Sequence, residues 1–222
     1  MTVNILDETL DEIRGVRIIQ KKKGYRFSAE SILLSDFPDL TDVRMAADLG
    51  TGSGIIAILL TARSEELDVV GIELQPELYG LAVRNVELAG LSNRIQVVKG
   101  DIRTIKDWFK TERLDLVVSN PPYYQVGKAR IGPNKERTIA RHEMAVSKKD
   151  IMDASNLLLK KGGRVAVIYP AERREEVIST MHYSNIGPKR MREISTGEGK
   201  LLMAEGEKGY EGALKDEEPL LL

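Results

Sequence analysis

The chain has no cysteine, which excludes a disulfide framework and a thiolate metal site. It has only two histidines, His142 and His182, too few for a zinc centre built from imidazoles. No apolar run approaches the length that crosses a bilayer, and the N-terminus lacks a secretory pattern. A soluble, cytoplasmic protein with neither membrane nor metal among its partners is the expectation. Net charge is also small: 33 basic residues against 34 acidic ones leave −1, which argues against a whole surface devoted to a polyanion.

The charge is unevenly spread. Residues 14 to 26 hold six basic side chains and no acidic one, and residues 126 to 150 hold seven against three. What remains is 20 basic residues against 31 acidic ones. Two basic stretches on an acidic body suggest a polyanion met at one face, although either stretch alone is read more simply as a solvated loop. Charged residues are 30% of the chain and glutamine occurs four times, a balance that leans toward a thermophilic source.

At 222 residues, without repeats or a linker, the chain suits one domain over residues 1–222. Ile18-Ile19-Gln20 reads as a short strand, and Ser28 as the N-cap of a helix that Pro38 ends. Residues 45–49, 69–73, 95–98, 114–119 and 164–169 read as strands. Between them residues 54–63, a stretch opened by Pro76, residues 150–159 and residues 172–181 read as helices. Ile55, Ile56, Ile58, Leu59 and Ala62 form the expected buried side of the first of these. Leu78, Leu81, Ala82 and Val86 form that of the second. Gly162-Gly163 is the expected stop of the 150–159 helix. Residues 188–195 and 200–205 read as a closing antiparallel pair, and the tail as either a final strand or an unordered end. This alternation predicts a sheet covered on both faces through right-handed crossovers, with ligands at the carboxyl ends of its strands.

Those ends carry the chemistry. Ala46 to Ile58 runs from a buried strand through Asp48-Leu-Gly50-Thr-Gly52-Ser-Gly54 into an apolar helix. Alternating glycines let the backbone turn tightly and let a ligand approach the main chain. The spacing is neither that of a dinucleotide loop nor that of a P-loop, which needs a lysine. A glycine turn used only for close packing remains a reading of this stretch by itself. Glu73 closes the second strand, where a carboxylate can hold two ribose hydroxyls. Asp101, one strand on, can accept an exocyclic amine, and Ile72, Leu74 and Ile102 can wall a ring slot.

Asn120-Pro121-Pro122-Tyr123 ends the fourth strand. Two prolines there remove donors and stiffen the turn, which is costly unless its geometry matters. The Asn120 carboxamide oxygen and the Pro121 carbonyl can each accept an N–H from a conjugated amine. That turns the nitrogen's lone pair toward a methyl donor, and Tyr123 can stack on a ring taken out of its own stack. Residues 125–149 then form a long polar segment, read as a substrate-facing loop. Its Lys128, Arg130, Lys135, Arg137 and Arg141 are candidate phosphate contacts.

The glycine loop resembles the first motif, and the Asn120 stretch the fourth motif, of class I S-adenosylmethionine-dependent amino-methyltransferases. From Gly24 to about Gly206 the arrangement is most similar to the bacterial-type tRNA adenine N6-methyltransferases that modify the base beside the anticodon of a valine tRNA. The matching residues are Gly24, Phe27, Ser28, Leu33 and Leu34, then Asp48 to Gly54, Glu73, Asp101, Asn120 to Tyr123, and Arg141-His142-Glu143. The resemblance implies a Rossmann-like α/β fold: a mostly parallel, seven-stranded sheet with helices on both faces and an antiparallel C-terminal hairpin. It implies S-adenosylmethionine as cofactor, held by Arg26, Phe27, Ser28, Asp48, Gly50, Gly52, Gly54, Glu73, Leu74, Asp101, Ile102 and Asn120. Residues 1–40 would cover the cofactor, and an RNA, tRNA above all, would be the substrate. The acidic tail at Asp216, Glu217 and Glu218 departs from an RNA-binding end.

Rival readings differ in acceptor or in class. The same motifs serve enzymes that methylate protein glutamine, and Arg26 to Glu30 could match their upstream segment. Fewer than 50 residues before the glycine loop, and the basic segment, favour RNA. A guanine N2 acceptor is a further possibility. The intact Asn120 to Tyr123 argues against a non-catalytic RNA-binding protein on the same fold, and the glycine spacing and the absence of a hydride-transfer constellation argue against an NAD-dependent oxidoreductase.

Overall fold

The structure, a computed structural model, describes residues 7–24, 26–121, 146–197 and 199–222. Its elements in chain order are β1 (Glu8–Ile13), β2 (Val16–Lys21), α1 (Ala29–Asp36), β3 (Met45–Leu49), α2 (Ile55–Arg63), β4 (Asp68–Glu73), α3 (Pro76–Leu88), β5 (Ile95–Lys99), β6 (Leu114–Ser119), α4 (Lys148–Leu158), β7 (Leu159–Pro170), α5 (Arg174–Tyr183), β8 (Ile186–Thr196), β9 (Gly199–Lys208) and β10 (Lys215–Leu221). A 3-10 turn, Ile102–Asp107, follows β5. Among the described residues no helix is long and apolar enough to cross a membrane.

The main sheet has the order β10-β8-β9-β7-β6-β3-β4-β5. Among the described residues it therefore has eight strands rather than the expected seven. The tail supplies the eighth, since β10 pairs in parallel with β8. Among the described strands of this sheet only β9 opposes its neighbours: it is antiparallel to both β7 and β8. The predicted C-terminal hairpin is thus present, and the predicted parallel core is β7-β6-β3-β4-β5. The order reverses between β3 and β6, and a crevice opens at such a switch point on the carboxyl side.

Both faces are buried, as alternation along the strands requires. Ala46, Val118, Ala166 and Ile168 join α1 and α2 in one core, while Ala47, Val117, Val165 and Val167 join α4 and α5 in the other. α2 differs from the amphipathic helix expected of it. Ile55 to Thr61 are all buried, including Leu60, whereas Ala62 is exposed. The reason is α1, which packs over the outer side of α2 and is stapled there by Arg63, whose guanidinium donates to the carbonyls of Ser35 and Pro38. Gly162-Gly163 does not stop α4 either. The helix ends at Leu158, and the two glycines lie inside β7, beside the register shift in its pairing with β6.

β1 and β2 form a separate hairpin. Ile18 of β2 enters the first core, and Ile19 packs on Leu78 and Leu81 of α3. Ion pairs fasten the hairpin to α3, Arg84 to Glu8 at 2.6 Å and Lys21 to Glu77 at 2.6 Å. Arg14 pairs with Asp36 and Arg26 with Asp11. Three of the six basic residues of the first stretch, Arg14, Lys21 and Arg26, are therefore matched by acids from elsewhere in the chain, which weakens its claim on a polyanion.

Candidate active site

The glycine loop leaves β3 and bends back over β4. The amides of Gly50 and Thr51 both donate to the Ile72 carbonyl, at 2.9 and 3.0 Å. Gly50, Gly52 and Gly54 have φ of 75°, 59° and 83°, the left-handed region where an L side chain is strained. Gly71 of β4 makes room for the loop, since a Cβ there would meet the Thr51 hydroxyl at 3.0 Å. The alternation read from the sequence is thus a backbone requirement.

Glu73 ends β4 beneath this loop at 5% exposure. Its Oε2 accepts the Gly52 amide at 2.9 Å and its Oε1 the Gln75 amide at 2.8 Å. Burial raises its pKa, and those amides oppose the rise. Asp48, at the end of β3, is fully buried. Its Oδ2 accepts from the Thr51 hydroxyl at 2.6 Å, and its Oδ1 has no hydrogen-bond partner among the described residues. Burial pushes Asp48 up to about 7, with the Thr51 hydroxyl and the Ala57 amide opposing and Glu73 adding to the rise. A buried carboxylate oxygen with an empty acceptor position, under a loop that excludes side chains, fits a ligand carrying a cationic amine.

Asp101 caps the 3-10 turn after β5 by accepting the Arg103 amide at 2.9 Å. Its carboxylate also holds the Arg103 guanidinium, Nη2 to Oδ2 at 2.6 Å, and Arg103 keeps its pKa below the usual carboxylate range. It sits where an adenine amine was expected, with Ile102 buried beside it, but Arg103 shares its oxygens. Arg26 lies further from its expected role. Its guanidinium turns into the hairpin, donating to Asp11 at 2.7 Å, to Thr9 at 3.1 Å and to the Lys21 carbonyl at 2.9 Å. Ser28 is the N-cap residue of α1 but makes no side-chain capping bond, and Phe27 is half-buried against the first core.

Asn120 follows β6 directly, across the switch point from the glycine loop. The Ser119 hydroxyl donates to the Leu49 carbonyl at 2.7 Å and ties the end of β6 to the end of β3. The Asn120 amide Nδ2 donates to Ser31 Oγ at 3.0 Å. Pro121 is buried. Pro122 and Tyr123, and the candidate phosphate contacts Lys128, Arg130, Lys135, Arg137 and Arg141, lie outside the described residues.

Two residues were missed by sequence reasoning. Asn85, fully buried on α3, accepts the Ile19 amide at 2.8 Å and donates to the Ile19 carbonyl at 3.1 Å and the Ser53 carbonyl at 2.8 Å. It joins hairpin, helix and glycine loop. The signal was available: Asn85 lies within the stripe of Leu78, Leu81, Ala82 and Val86, a polar residue on an apolar face. Ser31 gave no comparable sign.

The arrangement places acids under a glycine loop on one side of the switch point and the Asn120 carboxamide on the other. Residues 28–182 match the family described as methyltransferase small domain. The chain is 33% identical over 157 residues to the tRNA1(Val) (adenine(37)-N6)-methyltransferase of Glaesserella parasuis, a match covering 71% of this chain and 64% of that protein. With the protein of the same name from Actinobacillus pleuropneumoniae it shares 30% identity over 184 residues, 82% of this chain and 75% of that one. Among solved structures it is similar to a predicted O-methyltransferase of Agrobacterium tumefaciens, with a TM-score of 0.68 and 22% identity over 86% of each chain. At that identity the likeness concerns the fold alone.

Proposed function

The chain belongs to the methyltransferase small domain family and, within it, with the tRNA1(Val) (adenine(37)-N6)-methyltransferases, and from that premise we propose that it methylates the exocyclic N6 of a flipped-out adenine in tRNA. The observation that carries this reading is the place of Asn120: an amide acceptor at the end of β6, tied by Ser119 to the β3 end where the glycine loop begins.

The cofactor is S-adenosylmethionine. It supplies an activated methyl group on a sulfonium that is already a good leaving group. The glycine loop gives its backbone to the ligand, Asp48 receives the cationic amino end, and Glu73 receives the ribose hydroxyls through acceptor capacity beyond the two amides it already holds. Leu74 and Ile102 wall the adenine slot, and Asp101 accepts its amine beside Arg103. On the other side Asn120 Oδ1 and the Pro121 carbonyl accept the N–H bonds of the target amine and set its lone pair in line. Catalysis is then positioning and electrostatics, with no proton held by a strong base before transfer. Tyr123 stacks on the flipped base, and Lys128, Arg130, Lys135, Arg137 and Arg141 contact phosphates.

Methyl transfer from labelled S-adenosylmethionine to total tRNA, followed by nucleoside analysis, tests the reading. N6-methyladenosine in tRNA is the expected product, and Asn120→Ala is expected to lower turnover at least about 100-fold while cofactor affinity holds. Label in a protein fraction and none in tRNA would replace this reading with glutamine methylation.

A further inference from the structure

We infer that Trp108 is a positioning residue for the adenine of the cofactor: its indole lies on Gly100 and closes the turn that carries Asp101 and Ile102. The inference rests on the assignment of Asp101 to the adenine amine.

The turn from Ile102 to Asp107 is six residues of 3-10 helix, broken at Thr104, where φ is −111° and ψ is 17°. Turns of this kind have poorly aligned hydrogen bonds, so their shape depends on what packs against them. Ile102 and Ile105 are buried in the core shared with α4. The two ends of the segment meet through Trp108. Its Nε1 donates to Thr104 Oγ1 at 3.4 Å, and that hydroxyl donates to the Asp101 carbonyl at 3.2 Å. The ring lies against Gly100, the residue before Asp101. A Cβ at Gly100 would stand 2.6 Å from Cζ2 and 2.8 Å from Cη2 of the indole, closer than non-bonded carbons approach. Gly100 in turn donates its amide to the Glu73 carbonyl at 3.0 Å. One aromatic contact therefore fixes the strand end between the two acids assigned to adenosine, Glu73 to the ribose and Asp101 to the amine.

Core packing is a poor account of this placement. Trp108 stays 39% exposed and forgoes much of the apolar burial that an indole offers a core. Phe109, set edge-on to it at 6.2 Å, packs on the core instead. What Trp108 supplies is rigidity on one side of the ring slot. An acceptor has to be held within a fraction of an ångström to distinguish a nucleobase that carries an amine from one that does not.

Calorimetry on the full-length chain tests this without turnover. The probes are S-adenosylhomocysteine and its analogue with hydrogen in place of the adenine 6-amino group. The unmodified chain is expected to bind the first at least about tenfold more tightly. Trp108→Ala is expected to cut that preference about threefold or more, and Trp108→Phe, which keeps a flat ring over Gly100, to retain most of it. Gly100→Ala is expected to act like Trp108→Ala, and to add nothing once residue 108 is alanine, because the contact is then already lost. Gly100→Ala and Trp108→Phe also keep the comparison decisive if Trp108→Ala does not fold. The inference is overturned if the ring-displacing variants keep the full preference, both ligands weakening alike, or if the effects of the two alanine variants add. In either case the unmodified chain still discriminates, and the Asp101 assignment stands. An unmodified chain that binds the two ligands equally, or binds neither, overturns that assignment and this inference together.

Discussion

The carboxylate of Glu73 accepts the amide of Gly52 at 2.9 Å. The strand-end acid and the glycine loop are therefore one unit before a ligand arrives, because the second carboxylate oxygen holds Gln75 in the same way at 2.8 Å. Glu73→Ala strips the buried Gly52 amide of its acceptor, at about 1–3 kcal/mol, and frees the part-buried Gln75 amide to solvent at less cost. Urea denaturation should show that loss, and calorimetry should show cofactor binding weakened at least about tenfold. Unaltered binding would remove Glu73 from the ribose role.

Asp48 makes the same site sensitive to pH. Folding raises its pKa to about 7, so the folded chain binds a proton there that the unfolded chain has already lost. Its contribution to stability is therefore fully present only below the ordinary carboxylate range and declines as pH rises to about 7. Asp48→Asn abolishes the titration. The variant should be more stable than the unmodified chain at pH 8, with the difference shrinking toward pH 5, while its cofactor affinity falls. Denaturation curves at the two pH values check the sign. A difference that grows on acidification would show that Asp48 is not the titrating group.

Arg190 stabilises the far edge of the sheet. Glu205 on β9 is 1% exposed and is bonded by Arg190 at 3.0 and 3.2 Å. The same guanidinium reaches Glu217 of β10 at 3.0 Å, donates to the Phe37 carbonyl at 2.6 Å and stacks 4.2 Å from the Phe37 ring. Arg190→Ala leaves a buried carboxylate without its main partner, a loss of about 3–5 kcal/mol. The urea midpoint should fall, and turnover per folded molecule should not, since none of these groups borders Asn120.

The basic segment after Asn120 predicts a salt dependence. Replacing Lys128, Arg130 and Arg137 with glutamine should weaken tRNA binding about equally for different tRNAs. It should also lower the slope of log affinity against log salt by about 0.7–0.9 for each phosphate that the chain no longer neutralises. Titrations at several salt concentrations measure it, and an unchanged slope would return these residues to a solvated loop.

What the sequence by itself determined were the features that a few neighbouring residues can specify. Apolar runs of strand length produced β3 to β7, alternating glycines required the left-handed turns at Gly50, Gly52 and Gly54, and the Asn120-Pro121 step fell at a strand end. Such signals are local because they act through backbone conformation and the period of burial. Tertiary structure alone decided which side chains meet. It turned Arg26 into the hairpin, gave Asp101 to Arg103, paired Arg14, Lys21 and Arg26 with acids, and covered the outer side of α2 with α1. It also added β10 as an eighth strand, because Arg190 and Arg192 of β8 offer partners to Glu217. The bonds from Asn85 to Ser53 and from Asn120 to Ser31 span 32 and 89 residues. No periodicity encodes such distances: a polar side chain takes whatever partner the packed chain brings within reach, and burial makes that choice binding.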